Sequence, residues 1–174
     1  MRASIRMVPC IVSRSPWWTW GGSPILADDG MFHMFSSQIS NNCGILHYCS
    51  NSQVIHLTSP NATGPYTLID TPLPARLDSW DNGATHGISV HRLPNKSYAL
   101  FYMGSAQGPA WKRWPNCTAG SGDKTANTTE GSHNGRRIGI AIADDLNGPW
   151  RRLNAPLFGP QKGAWDNIDV QIND

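Results

Sequence analysis

The chain has 174 residues, 39% of them hydrophobic and 15% charged, with a net charge of +2. That length and apolar content support one domain with a core and exclude a disordered tail. The small charge gives no footprint for nucleic acid or an acidic membrane surface, and no apolar run approaches the ~20 residues that span a bilayer.

The 17 Gly, 13 Pro and 8 Trp speak for turns, loops and aromatic surfaces. No segment holds a 3.6-residue apolar period, so almost no helix is expected. Residues 1–16 form an N-terminal segment in which Arg2 and Arg6 precede the apolar stretch Met7 to Val12. This stretch is shorter than the roughly 7–15 residues of a secretory core. Either the protein is not secreted or its true start lies upstream.

From residue 17 onward the sequence reads as strands. Trp20-Gly21-Gly22-Ser23-Pro24-Ile25-Leu26 opens a first strand. Asp29-Gly30 is a type I′ hairpin signal, and Met31 to Ser37 follows as the second strand. Gln53 to Thr58 is a third strand. The Gly64-Pro65-Tyr66 turn leads into a short fourth, Tyr66 to Ile69. The pattern then starts again. Trp80-Asp81-Asn82 introduces a strand through His86 and Val90, Pro94-Asn95-Lys96 is a turn, and Tyr98 to Ser105 is the next strand. Arg137 to Ala143, the turn Gly148-Pro149-Trp150 and a strand from Trp150 to Leu153 complete the second unit. Trp165-Asp166-Asn167 then opens a third.

The recurrence is the main organising signal. Gly-Pro-aromatic precedes Trp-Asp-Asn in both copies, and Trp20, Trp80 and Trp165 align as the starts of three units. The second unit is longer mainly because of residues 106–135, rich in Gly, Asn, Thr and Ser, which read as a surface loop. Four antiparallel strands in sequence make one propeller blade. The expected fold is therefore all-β, a β-propeller. Blade one covers about 20–79, blade two about 80–164, and 165–174 starts a third. Closure takes roughly four to eight blades, so the chain reads as a fragment of a longer protein or as one that needs a partner.

With that pattern in place, the sequence resembles the five-bladed β-propeller glycoside hydrolases of family 43 and their relatives in families 32, 62, 68 and 117. The resemblance rests on Trp20 to Leu26 with Phe32 to Phe35, on Thr85 to Val90 with Tyr98 to Met103, on Arg137 to Ala143 with Asn147 to Trp150, and on Trp165-Asp166. It covers roughly residues 17 to 174 and corresponds to the first half of a full propeller. It implies hydrolysis of glycosidic bonds in a polysaccharide or oligosaccharide, with inversion. It also implies that the first strand of each blade lines a central funnel and that three carboxylates project from these strands. Glycoside hydrolysis needs two carboxyl groups flanking the scissile bond.

This chain departs from that pattern. No Asp stands in Gly21-Gly22-Ser23-Pro24, and the second inner strand carries His86-Gly87 where a carboxylate is expected. His86 is the first candidate for a replacement acid or base, since imidazole titrates near neutrality; a satisfied structural histidine is the alternative. Asp169 and Asp174 are the carboxylate candidates. Alternation places Asp169, Gln171 and Asn173 on one face of the third inner strand, and Gln171 is a candidate for substrate binding. Asp81 and Asp166 are read either as turn caps or as carboxylates at the funnel rim that contact substrate. Trp20, with Trp17 and Trp18, is read as a sugar platform or as core. Arg76, Arg136 and Arg137 read as a solvated surface, with bidentate binding of a carboxylated sugar as the alternative. The non-catalytic reading of the whole protein is a carbohydrate-binding propeller.

Of Cys10, Cys43, Cys49 and Cys117, none forms a Cys-x-x-Cys pair, which argues against structural zinc. Cys43 and Cys49 suit a short bridged loop in a secreted protein, and four free thiols are the other reading. Sequons at Asn61, Asn95, Asn116 and Asn127 point toward secretion. The expected partner is a carbohydrate, with no nucleic acid, membrane, metal or cofactor called for and no oligomeric state read.

Overall fold

The computed structural model describes residues 18–44, 47–48, 51–74, 76, 78–105 and 136–165. Asp166, Asp169, Gln171 and Asp174, the insertion at 106–135 and all but Trp165 of the expected start of a third blade lie outside the described residues.

Among the described residues, eight strands form two sheets. They are β1 (Thr19–Leu26), β2 (Phe32–Ile39), β3 (Ser52–Ser59), β4 (Thr67–Leu73), β5 (Ala84–Arg92), β6 (Tyr98–Ser105), β7 (Arg137–Ala143) and β8 (Arg151–Arg152). The strand orders are β1-β2-β3-β4 and β5-β6-β7-β8, all neighbours antiparallel. No α-helix occurs among the described residues. The two four-stranded units expected from the repeat are thus present, but the described residues do not close into a ring.

The repeated turns are the same device twice. Gly64-Pro65 and Gly148-Pro149 are both cis, and each glycine has a positive φ, 79° and 85°. In both, the following aromatic donates to the carbonyl four residues back: Tyr66 Oη to Ala62 at 2.9 Å and Trp150 Nε1 to Leu146 at 3.3 Å. The hairpins at the other ends also match. Ala27 N donates to Met31 O and Gly30 N to Ala27 O; Leu93 N donates to Ser97 O and Lys96 N to Leu93 O. In each, a single residue is left-handed, Gly30 (81°) or Lys96 (69°). The type I′ turn expected at Asp29-Gly30 is therefore not formed, because that turn needs two consecutive left-handed residues. Asp29 instead uses its carboxylate to accept from Met31 N at 2.8 Å. The two consecutive left-handed residues occur at Asn41-Asn42, with φ 59° and 58°.

The core lies between the sheets. Phe35, Val54 and Leu73 of the first sheet pack on Ile88, Val90, Leu100, Tyr102 and Ala141 of the second. Full burial of each large side chain contributes about 1.5–3 kcal/mol. Polar groups tie the layers as well. Val90 N donates to Ser23 Oγ at 3.0 Å, and Val54 N donates to Thr85 Oγ1 at 3.2 Å. β5 therefore contacts β1, β2 and β3, and the beginnings of β1 and β5 are brought side by side. By alternation, the opposite side of the second sheet carries Phe101, Ile140 and Ile142, all half-buried, beside Leu153 and Phe158, which are exposed.

Candidate functional site

The sequence aligned Trp20 with Trp80, which left Gly and Ser opposite His86. The strand register gives a different equivalence. Trp20 pairs with Ser37, two residues before the end of β2, and His86 pairs with Met103, two residues before the end of β6. Trp20 and His86 are therefore the corresponding positions of β1 and β5, the first strands of the two sheets. They also touch: the rings stand edge to face, with centroids 4.4 Å apart and planes at 81°. Tyr48, from the connection between β2 and β3, completes the cluster at 5.4 Å from Trp20 and 5.8 Å from His86.

A bulge follows each of these two residues. The β1 register slips between Trp20 and Ser23, and the β5 register slips between His86 and Ile88. Left-handed glycines make this possible, Gly21 at 62° and Gly87 at 51°. Adjacent serines of β2 hold both bulges. Ser36 Oγ donates to the carbonyls of Trp20 and Gly21, at 3.2 and 2.8 Å, and Ser37 Oγ accepts from Gly87 N at 3.2 Å. A bulge re-aims the side chain next to it, so Trp20 and His86 meet at one end of the sheets. The sequence signal was available in Gly21-Gly22 and Gly87, each a glycine inside a strand pattern.

His86 is 5% exposed, and its Nδ1 lies 2.7 Å from the hydroxyl of buried Ser52. Burial, helped by the positive charge of Arg136, pushes the imidazole pKa down to about 3. The ring is therefore neutral across the physiological range, with one N–H to donate in a hydrogen bond and no imidazolium proton to give as an acid. Trp20 and Tyr48 are half-buried, so part of each ring remains open. No carboxylate is among the partners of Trp20 or His86 in the described residues. What these residues offer is an apolar aromatic surface beside a neutral imidazole, which suits binding of a ligand with a C–H face and hydroxyl edges.

Asp81 does not stand at a rim. It is fully buried and its carboxylate is engaged on all sides. Arg76 Nη2 reaches both oxygens at 3.0 Å, Arg152 Nη1 reaches Oδ2 at 3.0 Å, and Tyr102 Oη donates to Oδ2 at 2.9 Å. Arg152 also donates to the Pro74 carbonyl. The expected substrate contact is thus replaced by an internal charge network, and Arg76 belongs to it rather than to a solvated surface. Trp80 stacks on Tyr102, centroids 5.8 Å apart. It lies so close to β6 that a Cβ on Gly104 would fall 2.3 Å from its ring. Trp80-Asp81 is the clasp that fastens the strand-to-strand linker onto the second sheet. Trp165, at the matching place of the next unit, is 97% exposed.

Arg136 is buried beside His86 rather than solvated. Cys43 is disulfide-bonded, and the other three cysteines lie outside the described residues. No helix among the described residues is long and apolar enough to cross a membrane.

No protein-family model and no curated protein matches the sequence. Solved structures do match. A family 117 glycoside hydrolase from the marine bacterium Zobellia galactanivorans superposes with a TM-score of 0.60 at 13% identity, over 87% of this chain and 43% of that one. The fold is that of the family 43 and family 117 glycoside hydrolases. A family 43 β-xylosidase/α-arabinofuranosidase from a compost microbial metagenome, in complex with xylotriose, matches at TM-score 0.53 and 14% identity. The match covers 84% of this chain and 37% of that one. A family 43 enzyme from Xanthomonas citri gives 0.54 and 14%, over 84% and 34%. The chain thus spans well under half the length of the glycoside hydrolases it matches.

Proposed function

We propose that this chain is part of a propeller glycoside hydrolase acting on a polysaccharide or an oligosaccharide, and that the Trp20–Tyr48–His86 cluster binds its sugar. The observation that carries the reading is the meeting of Trp20 and His86 at the corresponding bulged position of β1 and β5, in a fold shared with glycoside hydrolases. Asp169 and Asp174 are the carboxylates proposed to supply acid and base, with Asp166 and Gln171 on the substrate. His86 is assigned to binding, because a ring neutral down to about pH 3 donates a hydrogen bond but is a poor proton source near pH 7. The Cys43 disulfide supports a secreted protein, since such bonds persist in oxidising compartments.

The alternative is a propeller that binds carbohydrate without cleaving it. It is favoured by Trp20 and His86 standing on inner strands where the family would place carboxylates. Aryl glycosides incubated with the protein carried in its longest natural form separate the two. Sugar release that drops by about a thousandfold in Asp169→Asn or Asp174→Asn supports hydrolysis, the scale expected for losing an essential acid or base. No release from any substrate, with xylotriose quenching tryptophan fluorescence in the wild type but not in Trp20→Ala, supports the binding reading. Neither release nor quenching would remove both.

A further inference from the structure

Ser52 opens β3, two residues before Val54, and so lies on the side of β3 that faces the second sheet. It is fully buried, and His86 Nδ1 is the one hydrogen-bond partner its hydroxyl has among the described residues. The same bond is the one that the His86 ring makes among them. A neutral imidazole carries a single proton, on Nδ1 or on Nε2. With the proton on Nδ1, that N–H would donate to Ser52, and the serine hydroxyl proton would be left buried without an acceptor. With the proton on Nε2, the hydroxyl donates to the bare Nδ1 and only oxygen lone pairs go unused. Orphaned buried donors are the rarer and costlier defect.

We propose that Ser52 is a positioning residue that fixes His86 as the Nε2–H tautomer, so that the ring presents one aimed N–H donor to a ligand oxygen beside Trp20 and Tyr48. The other sides of the ring are held too. The Trp20 ring stands perpendicular to it with centroids 4.4 Å apart, and the bulge that follows His86 is pinned by the Gly87 N–H to Ser37 Oγ bond. Burial, and after it Arg136, keeps the ring uncharged, so the donor persists through mild acid. The ligand class, a sugar hydroxyl whose C–H face rests on the aromatic rings, relies on the function proposed above; the tautomer does not.

The test is a long-range proton–nitrogen correlation of the imidazoles in the 15N-labelled full chain, with His86 assigned by the loss of its signals in His86→Phe. Expected is one His86 species, Nδ1 bare and Nε2 protonated, unchanged from about pH 7.5 to about pH 5. Ser52→Thr retains that species, and Ser52→Ala gives a mixture of both tautomers while His33 and His56 keep their signals. A protonated Nδ1 in the wild type, or an unchanged tautomer in Ser52→Ala, overturns the proposal. If Ser52→Ala does not fold, the wild-type and Ser52→Thr spectra still decide. Xylotriose is then added. A shift of the Nε2–H resonance, with affinity about fivefold weaker in Ser52→Ala as for one lost hydrogen bond, supports both proposals. The expected tautomer with no shift leaves the role of Ser52 standing and removes the sugar from the site.

Discussion

Lys96 holds its backbone at φ 69° in the same turn in which the first sheet uses Gly30 at 81°. The left-handed region costs an ordinary L-residue roughly 1–2 kcal/mol, part of which glycine gives back in chain entropy. Lys96→Gly is therefore expected to stabilise the fold by about 0.5–1 kcal/mol, read as a higher urea midpoint at unchanged slope. A lower midpoint would mean that the Lys96 side chain contributes more than its backbone costs. Both hairpins were legible in the sequence from Asp-Asp-Gly and Pro-Asn-Lys. Their turn type was not, because it depends on how many consecutive residues go left-handed. Composition marks a turn, while the flanking strand register sets the φ of each residue in it.

At the scale of elements, the Trp80-Asp81 clasp joins the linker before β5 to β6 and β8. Three donor side chains converge on a carboxylate with no exposure, and Arg152, with a side chain 7% exposed, is nearly as buried. Removing one partner of such a network leaves uncompensated buried charge, which typically costs 3–5 kcal/mol. Asp81→Ala is expected to destabilise by about that much, and Tyr102→Phe by about 1.5–3 kcal/mol for a hydrogen bond to a charged group. Denaturant melts of both variants test the expectation. Wild-type stability in Asp81→Ala, together with lost sugar binding, would restore the rim-carboxylate reading. The strands were legible in the sequence nearly to the residue at β6 and β7, since alternation and turn residues are local signals. The equivalence of Trp20 with His86 was not. Trp20 lies within β1, whereas Trp80 lies in the linker six residues before His86, so matching tryptophan to tryptophan aligns a strand residue with a linker residue.

Across the whole molecule, polar side chains sit inside the sheets as well as between them. His33 Nδ1 and His56 Nε2 are 2.8 Å apart on β2 and β3, and the His56 ring lies flat on Phe35 at 4.7 Å. Burial first, and then His33, push the His56 pKa down to about 4. His56 and His86 are thus neutral when folded and titrate at about 6.5 when unfolded. Below pH 6.5 the unfolded chain binds more protons than the folded one, so their contribution is intact above that pH and is lost as pH falls toward 4. The slope approaches about 1.4 kcal/mol per pH unit for each histidine. Against a total stability of about 5–15 kcal/mol, this predicts a melting temperature that is level above pH 7 and falls steadily between pH 6.5 and 4.5. A level profile through that range would contradict the neutral burial of both rings.

The amino-acid sequence by itself determined that two like units of four antiparallel strands follow one another, with the Gly-Pro-aromatic corner as scaffold. Turn chemistry, glycine and proline placement and period-two alternation act within a few residues, and they are written twice. Only the tertiary structure decided which side chains meet. Packing one sheet face on the other seats Ser52 under His86 and sets His86 against Trp20, while the linker folding onto the second sheet closes Asp81 inside three donors. Apart from Arg76 with Asp81, these contacts join residues more than 20 positions apart, and glycines at 21 and 87 mark where the strands bulge without saying which side chains the bulges bring together.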